Sequence, residues 1–411
     1  MVEWKKIENV CTVMTPPKKL KKECYQKEGL YPIIDQGQSD IVGYTDDEGS
    51  LLASDSYVLF GDHTRNVKYI SGKFAQGADG LKILKCDCFL NPKYFYYTFS
   101  NSSIPTRGYS RHWSIAKEIE IPIPPLSEQN RIVGILDTFT ESIENLKKQI
   151  TERKKQYEHY RDQLVDLEGK PGVEMKAMGG MCLIKTGNKP KTIFEKGKYR
   201  YINAGTSESG YTNETNCEAN VVTTPSRGQG GIGFLAFQPV DFWLGPLCYQ
   251  IRSIKVEEIS NKYLFYYLSG HNDDILKYKS EGGTPAVNAA DLKKIPVLYP
   301  SLSEQNRIVS ILDTFEASIA NLEQQLSLRQ KQYEYYRNML LTFDEWQTVI
   351  QSIDKEKEEQ EWMSLYLIRS FKCWDGNDLG ARHTSTSKRI RSTAWRMCFA
   401  NASFLPTETE R

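Results

Sequence analysis

The sequence lacks an excess of charge of either sign. Its 53 lysines and arginines are balanced by 52 aspartates and glutamates, which leaves a net charge of +1 over 411 residues. This balance gives no support for bulk electrostatic binding to nucleic acid, so any contact with DNA has to come from local patches. The sequence also lacks a signal peptide and an apolar run of membrane-spanning length, so we expect no membrane association.

Paired cysteines and metal-ligand spacings are missing as well. Nine cysteines are scattered without a CxxC pair, and the five histidines show no ligand spacing. This pattern indicates reduced thiols in the cytoplasm and argues against a zinc site or a disulfide framework. We therefore predict no metal on this chain.

Two short stretches resemble catalytic motifs without completing them. The stretch 91–94 reads Asn-Pro-Lys-Tyr, whereas the loop of adenine methyltransferases reads Asn-Pro-Pro-Tyr, and no glycine-rich cofactor loop precedes it. We interpret it as a helix start with proline in the first turn. The glycine-rich stretch 228–233 lacks the Gly-Lys-Ser/Thr of a nucleotide loop, so we interpret it as a tight turn or a backbone approach to phosphate. The sequence thus predicts no catalytic residue and no bound cofactor.

The chain does contain a long internal repeat. Residues 126–165 recur as residues 302–341 at a constant offset of 176 (302 − 126), and 26 of the 40 paired positions are identical. A repeat of this length fixes the architecture before any local prediction is made.

Each copy of the repeat predicts a helix of about 40 residues with a coiled-coil seam, because its apolar residues alternate in steps of four and three. The predicted seam residues are Ile132, Leu136, Phe139, Ile143, Leu146, Ile150 and Tyr157 in the first copy and Ile308, Leu312, Phe315, Ile319, Leu322, Leu326 and Tyr333 in the second. Both copies interrupt the seam with an arginine, at Arg153 and Arg329. A single helix cannot bury so narrow an apolar stripe, so each helix needs a partner. The simplest partner is the other copy of the repeat. Two independent coiled coils that bind other chains are the alternative.

The residue types before each copy indicate where the helix begins. Ser127 and Ser303 stand where we expect the N-caps, each followed by a glutamate in the first turn. The prolines at 124, 125 and 300 keep the helices from starting earlier.

A globular block precedes each helix. Residues 1–125 contain β-like runs at 31–34, 56–60 and 81–84, a predicted helix at 92–99 and an extended run at 119–124. Residues 169–301 repeat this plan with weaker identity: stretch 2–5 matches 173–176, and Gly-Tyr-Thr at 43–45 matches 210–212. We therefore predict block one at 1–125, a helix at 126–168, block two at 169–301 and a second helix at 302–342.

Polar, donor-rich segments in both blocks are candidates for DNA contacts. Arginine suits guanine edges and phosphates, asparagine and glutamine suit adenine, and hydroxyls suit phosphate oxygens. The candidates are Arg65, Asn66, Arg107, Arg111 and His112 in block one, and Ser226, Arg227, Gln229, Lys277 and Lys279 in block two. The alternative for each segment is an ordinary surface turn.

The tail, residues 343–411, has no counterpart in the first half. It carries a basic cluster between Arg382 and Arg396 that could touch nucleic acid. We favour a poorly ordered appendage, such as the product of a gene rearrangement or a shifted reading frame.

The order of block, Leu-Ser-Glu-Gln-Asn-Arg-Ile-Val helix, block and second such helix resembles the specificity subunit of type I restriction–modification enzymes, over residues 1 to about 342. The resemblance implies an α+β fold, in which two β-rich target recognition domains are joined by two long helices packed as an antiparallel coiled coil. It implies a non-catalytic, cytoplasmic subunit whose blocks each read one half of a bipartite site in double-stranded DNA. Because the blocks differ in sequence, we expect that site to be asymmetric.

The resemblance also implies partners. Two modification subunits would dock on this chain and supply the S-adenosylmethionine chemistry, and restriction subunits would supply ATP- and Mg-dependent translocation and cleavage. A coiled-coil adaptor whose blocks bind protein is the alternative from another class. A self-sufficient methyltransferase is disfavoured by the missing cofactor motifs.

Overall fold

The computed structural model describes residues 2–106, 108, 110–228, 231–280 and 285–343. The chain forms two compact units, Met1–Asn338 and Met339–Arg411. The first unit contains both blocks and nearly all of both long helices. Of the second unit only residues 339–343 are described, so the predictions for the rest of the tail, and those for Arg107 and Gln229, lie outside the described residues.

The described residues of block one form nine short strands and two α-helices. The elements are β1 (Glu3–Lys6), β2 (Cys11–Met14), β3 (Tyr31–Ile34), β4 (Gly43–Thr45), β5 (Asp55–Gly61), β6 (Val67–Gly72), β7 (Ala75–Gln76), β8 (Leu81–Cys86), α1 (Pro92–Asn101), α2 (Trp113–Ala116) and β9 (Glu120–Ile123). They form an antiparallel sheet in the order β2-β8-β5-β6, a mixed sheet in the order β4-β3-β7 and a ribbon of β1 with β9.

The first long helix, α3 (Leu126–Val165), leads into block two, which is followed by the second long helix. The elements of block two are β10 (Glu174–Ala177), β11 (Cys182–Thr186), β12 (Tyr199–Ile202), β13 (Tyr211–Thr212), β14 (Val221–Pro225), β15 (Ala236–Gln238), β16 (Trp243–Leu244), β17 (Cys248–Ser253), α4 (Asn261–Gly270), α5 (Asn272–Leu276), α6 (Ala289–Leu292) and β18 (Pro296–Tyr299), and the last helix is α7 (Leu302–Thr342).

The sheets of block two repeat those of block one strand for strand. Their orders are β11-β17-β14-β15, β13-β12-β16 and β10-β18. In both mixed sheets the first partner of the central strand is antiparallel and the second is parallel. The predicted duplication of the blocks is therefore confirmed in their topology, including the match between the two Gly-Tyr-Thr stretches.

Aromatic side chains fill the core of block one where the central sheet meets α1. Phe60 on β5 is buried, and its ring lies 5.2 Å from the ring of Phe99 on α1, which stacks in turn on Phe95. Each such ring removes a large apolar area from water, and tilted ring pairs add a further favourable term. Helix α1 thereby stands between the sheet and α3.

The long helices begin one residue before the predicted caps. Pro125 is the N-cap of α3 and uses no side-chain hydrogen bond, while its carbonyl accepts the N–H groups of Glu128 and Gln129 at 2.9 and 3.1 Å. Ser127 and Ser303 lie inside the first turns, so the prediction that they are N-caps is wrong. The extended backbone that proline imposes ends the preceding segment and leaves its carbonyl free to begin the helix.

Within the part of the chain that the structure describes, no helix combines the length and the apolar character needed to cross a membrane.

Candidate nucleic-acid interface

The two long helices pack against each other in opposite directions. The Phe139 ring near the start of α3 lies 5.5 Å from the ring of Tyr336 near the end of α7. At the other end, the Tyr160 ring lies 5.4 Å from that of Phe315. Phe139 and Phe315 are equivalent in the repeat, as are Tyr160 and Tyr336, so one contact occurs twice about an approximate two-fold axis. The predicted antiparallel packing, and with it the predicted fold class, is confirmed.

The arginines that interrupt the predicted seam take part in this contact. The guanidinium of Arg153 lies 5.8 Å from the ring centroid of Phe315, and that of Arg329 lies 5.6 Å from the ring centroid of Phe139. A cation over an aromatic face is attracted by the negative potential of the ring. The two arginines that interrupt the apolar seam thus form a second pair of duplicated contacts between the helices.

Burial varies along the predicted seam. Its first members in each helix are fully buried, and Ile308 and Leu312 belong to the core of block two. In the middle, Ile150 is buried, whereas the neighbouring Ile143 and Ile319 are only half-buried. The starts of the seams therefore attach the blocks, and the middle is a narrow helix–helix contact.

A buried glutamine in the repeat motif fastens each block to its helix. Gln129 is fully buried; its Oε1 accepts the Asn91 N–H at 2.8 Å, and its Nε2 donates to the carbonyls of Phe89 and Pro124 at 3.0 and 2.9 Å. Gln305 repeats the arrangement with the Ser260 N–H and the carbonyls of Glu258 and Pro300. Those bonds are 2.9, 2.8 and 2.9 Å long. The amide satisfies backbone groups that would otherwise be buried without partners.

An aspartate two turns further along adds a second attachment. Asp137 accepts the Tyr97 hydroxyl and the Lys93 ammonium, both at 2.7 Å. Its equivalent, Asp313, accepts the Tyr266 hydroxyl at 2.5 Å and lies 3.2 Å from the Lys262 ammonium. Two attachments per block fix the direction in which each block points from its helix.

The far end of α3 also belongs to block two. Val165 lies in the core of that block, and Tyr157 packs against it. Burial, and then the nearby Glu316 on α7, raise the pKa of Tyr157 to about 12. Block two therefore contacts the end of α3 and the start of α7, so the two blocks occupy opposite ends of the helix pair.

In block one, the two predicted DNA-contact segments lie together. The Asp62 carbonyl, in the turn after β5, accepts the backbone N–H of His112 at 2.8 Å, and Asp62 Oδ1 accepts the Trp113 N–H at 2.8 Å. Arg65 in the same turn has φ of +62° and donates to the Ile104 carbonyl at 3.0 Å. One surface thus joins the β5–β6 turn to the segment before α2.

Block two repeats this junction. The Ser226 carbonyl, directly after β14, accepts the Val287 N–H at 2.9 Å, and Gly228 N–H donates to the Pro285 carbonyl at 3.0 Å. Ser280 N–H donates to the Ala286 carbonyl at 2.9 Å. The segments containing Arg227 and Lys279 therefore meet at the position equivalent to the block-one junction.

The predicted contact residues differ in accessibility. Arg65, Arg111, Arg227, Lys277 and Lys279 are exposed, although Lys277 pairs with Asp274 at 2.6 Å. Asn66 is half-buried and donates to the Gln36 carbonyl at 3.3 Å.

Two of the predicted contact residues have buried side chains. His112 is fully buried, with Nδ1 3.0 Å from the Asp62 carbonyl, and Ser226 is only 6% exposed. The His112 ring contacts the junction from inside, and Ser226 bonds to it through its backbone. Their proposed contacts to DNA stay predictions. Their neighbours Arg111 and Arg227 remain accessible.

The motif-like stretches have structural roles. Asn91 caps α1 by accepting the N–H groups of Lys93 and Tyr94 at 2.8 and 3.2 Å, with Pro92 at the first helical position. Gly228 has φ of +127°, and its N–H is already bonded within the junction, so it is a turn residue rather than a free phosphate donor. Among the described residues, no cluster of three or more His, Cys, Asp or Glu could hold a metal ion.

Sequence reasoning missed the residues that join the loops. Gln36 bonds to the β5–β6 turn and, through Nε2, to the Asp79 carbonyl at 3.1 Å. In block two, Asn203 Oδ1 accepts the Leu247 N–H at 2.9 Å. The sequence does contain a signal for the residues that attach the blocks to the long helices. Gln129/Gln305 and Asp137/Asp313 are identical in both copies of the repeat although they lie off the seam.

Comparison with known proteins agrees with this geometry. The family model described as type I restriction modification DNA specificity domain matches residues 1–153 and again 171–329. The EcoR124I/EcoR124II specificity subunit of Escherichia coli is 28% identical over 391 aligned residues, which cover 85% of this chain and 96% of the relative. A putative type I specificity subunit of Haemophilus influenzae is 29% identical over 379 residues, covering 83% and 96%.

A solved structure has the same fold. The type I restriction–modification S subunit from M. genitalium superposes with a TM-score of 0.63 at 20% identity, covering 83% of this chain and 96% of that one. The two matches to the family model take in most of the chain. They and this structural likeness agree with the duplicated blocks and the antiparallel helices described above. The chain belongs to the family of type I restriction–modification DNA specificity subunits.

Proposed function

We propose that this chain reads a bipartite, asymmetric DNA site, with block one on one half and block two on the other. The observation that carries the proposal is the duplicated contact Phe139–Tyr336 and Phe315–Tyr160, at 5.5 and 5.4 Å. It relates the blocks by an approximate two-fold axis and places them at opposite ends of the helix pair. Two different readers in inverted orientation suit two different half-sites on one duplex.

The helix pair would set the distance between the half-sites. From Ile132 to Leu164 the helix rises by roughly 50 Å, and one turn of DNA is about 34–36 Å. The half-site centres would then lie roughly one to one and a half turns apart, with unread base pairs between them.

As a specificity subunit, the chain is the non-catalytic component of its system and works with other subunits and DNA. The finer assignment is part of our proposal: two modification subunits and further restriction subunits dock on this scaffold in the cytoplasm. The approximate two-fold symmetry supports two docking positions for one kind of partner. S-adenosylmethionine, ATP and Mg would be held by those partners.

A block exchange tests the proposal. Residues 170–301 are replaced by the equivalent block of another such subunit, and the methylated motif of a host carrying the chimera is sequenced. We expect one half of the motif to change while the half read by block one is retained. Loss of both halves in a chimera that still folds would contradict independent readers, and DNA-independent binding of a protein by the blocks would favour the adaptor.

A further inference from the structure

A third loop in each block adjoins the candidate interface. In block one it is residues 35–40, directly after β3, and in block two it is residues 203–208, directly after β12. The strand registers make them equivalent, because Tyr31 pairs with Thr45 and Tyr199 pairs with Thr212. Neither loop contains a residue that the sequence predicts to contact DNA.

In block one a buried lysine closes this loop. Lys68 on β6 is only 7% exposed, and its ammonium donates to the carbonyls of Asp35 and Ser39 at 2.9 and 2.5 Å. These carbonyls are four residues apart, so one cation holds both ends of the loop. Asp35 Oδ1 also accepts the Gly37 N–H at 2.8 Å, which tightens the turn.

The loop is also tied to the predicted DNA-contact turn. The Gln36 carbonyl accepts the Thr64 hydroxyl at 2.5 Å and the Asn66 amide at 3.3 Å, and Gln36 Oε1 accepts the His63 N–H at 3.1 Å. Loop 35–40 and the β5–β6 turn are therefore one connected structure. Any duplex that reaches Arg65 lies beside this loop.

Gln38 lies at the apex between the two fixed carbonyls. Its side chain is exposed, and among the interactions of the described residues it has no hydrogen-bond partner. An amide presents one donor and one acceptor side by side, which matches N7 and N6 of adenine in the major groove. Because the loop is already held in place before DNA binds, less conformational entropy is lost when such a contact forms.

Block two places a different side chain at the same point. Gly37 and Ser39 have the equivalents Gly205 and Ser207, whereas Gln38 is replaced by Thr206, which is also exposed. A threonine offers a hydroxyl and a methyl group, the latter suited to the thymine methyl. The residues on either side of the apex are thus the same in both loops while the apex differs, as readers of different half-sites require.

We propose that Gln38 is a specificity-determining residue of block one that contacts an adenine edge, and that Thr206 holds the equivalent position in block two. This inference rests on the proposed function, because it assumes that the blocks read DNA. It names one side chain in each block that takes part in reading its half-site.

The test uses the full chain in complex with its modification subunit. Affinity is measured by competition between the wild-type site and duplexes that each carry one altered base pair. For Gln38→Ala we expect discrimination at one A·T pair of the block-one half to fall by about 5- to 150-fold, the value of a bidentate base contact. Every position of the other half should keep its wild-type discrimination.

Three further variants sharpen the test. Thr206→Ala should alter only the block-two half, and Lys68→Met should weaken discrimination at the same pair as Gln38→Ala because it releases the loop. Gln163→Ala, on the exposed face of α3, should change nothing. Unchanged discrimination in Gln38→Ala would overturn the inference alone, whereas a wild-type complex without sequence preference would overturn the proposed function.

Discussion

Arg329 holds its guanidinium carbon 5.6 Å from the ring centroid of Phe139, across the interface between the two long helices. The equivalent pair, Arg153 and Phe315, has the same geometry at 5.8 Å. The two pairs flank the middle of the helix pair, where several apolar seam residues are only half-buried. Cation–aromatic contacts therefore supplement a thin apolar seam.

A double-mutant cycle measures this contact. Combining Arg153→Ala with Phe315→Leu should give a coupling energy of about 0.5–2 kcal/mol in urea unfolding. The matched cycle of Arg329 with Phe139 should agree, and a control cycle of Arg153 with Phe139, which pairs with the other arginine, should be close to zero. Equal coupling in the control and test cycles would show that the contact adds no specific stability.

Replacing either buried glutamine should lower the free energy of unfolding more than replacing an exposed glutamine. Gln129→Leu removes three hydrogen bonds and leaves the Pro124 carbonyl buried without that partner, which costs roughly 1–3 kcal/mol for that group alone. We expect a loss of about 2 kcal/mol or more in the free energy of unfolding, and a similar loss for Gln305→Leu. The exposed Gln163→Leu should stay within about 0.5 kcal/mol of wild type; a comparable loss there would contradict the attachment.

Substitutions at two neighbouring residues should affect DNA binding and folding stability separately. Arg111 is exposed and His112 is fully buried. Arg111→Ala should leave the free energy of unfolding unchanged but reduce the salt slope of DNA binding by about 0.9 for each phosphate that the guanidinium neutralises. His112→Ala should instead lower the melting temperature. If Arg111→Ala binds DNA with wild-type affinity and salt slope, that side chain does not touch the duplex.

Alkaline pH should weaken the end of α3 that enters block two. The folded chain holds the Tyr157 proton more tightly than the unfolded chain, because burial and Glu316 raise its pKa from 10.0 to about 12. The stability from this group is therefore complete below pH 10 and is lost as pH rises towards 12. Urea midpoints measured across this range should fall less steeply for Tyr157→Phe than for wild type, and identical slopes would contradict the assignment.

The sequence was sufficient for the repeat, the seam and the duplicated blocks, because each rests on a period or an offset that one chain displays. The antiparallel packing was expected from the resemblance to the family. It was insufficient for the interface, since His112 and Arg111 are adjacent polar residues whose burial only the tertiary structure decides. The prediction that Ser127 is an N-cap was wrong for a local reason. Pro125 already has an extended backbone and a free carbonyl, so the helix begins directly after it. Loop 35–40 was missed because its importance comes from Lys68, which lies on another strand.

The central claim is that the helix pair measures the distance between the two half-sites. It is tested by inserting one heptad into each helix, between Leu146 and Ile150 and between Leu322 and Leu326, which keeps the seam in phase. The insertions are nearly opposite each other in the antiparallel pair, so both helices lengthen together by about 10 Å. The exposed surfaces of both blocks are left unchanged.

The decisive measurement is the methylome of a host carrying this variant. We predict that the two specific halves of the motif stay the same while the unread gap between them lengthens, by about three base pairs if the duplex remains straight, since each base pair adds about 3.4 Å. A folded, active variant that returned the wild-type gap would contradict the claim that the helices set the spacing.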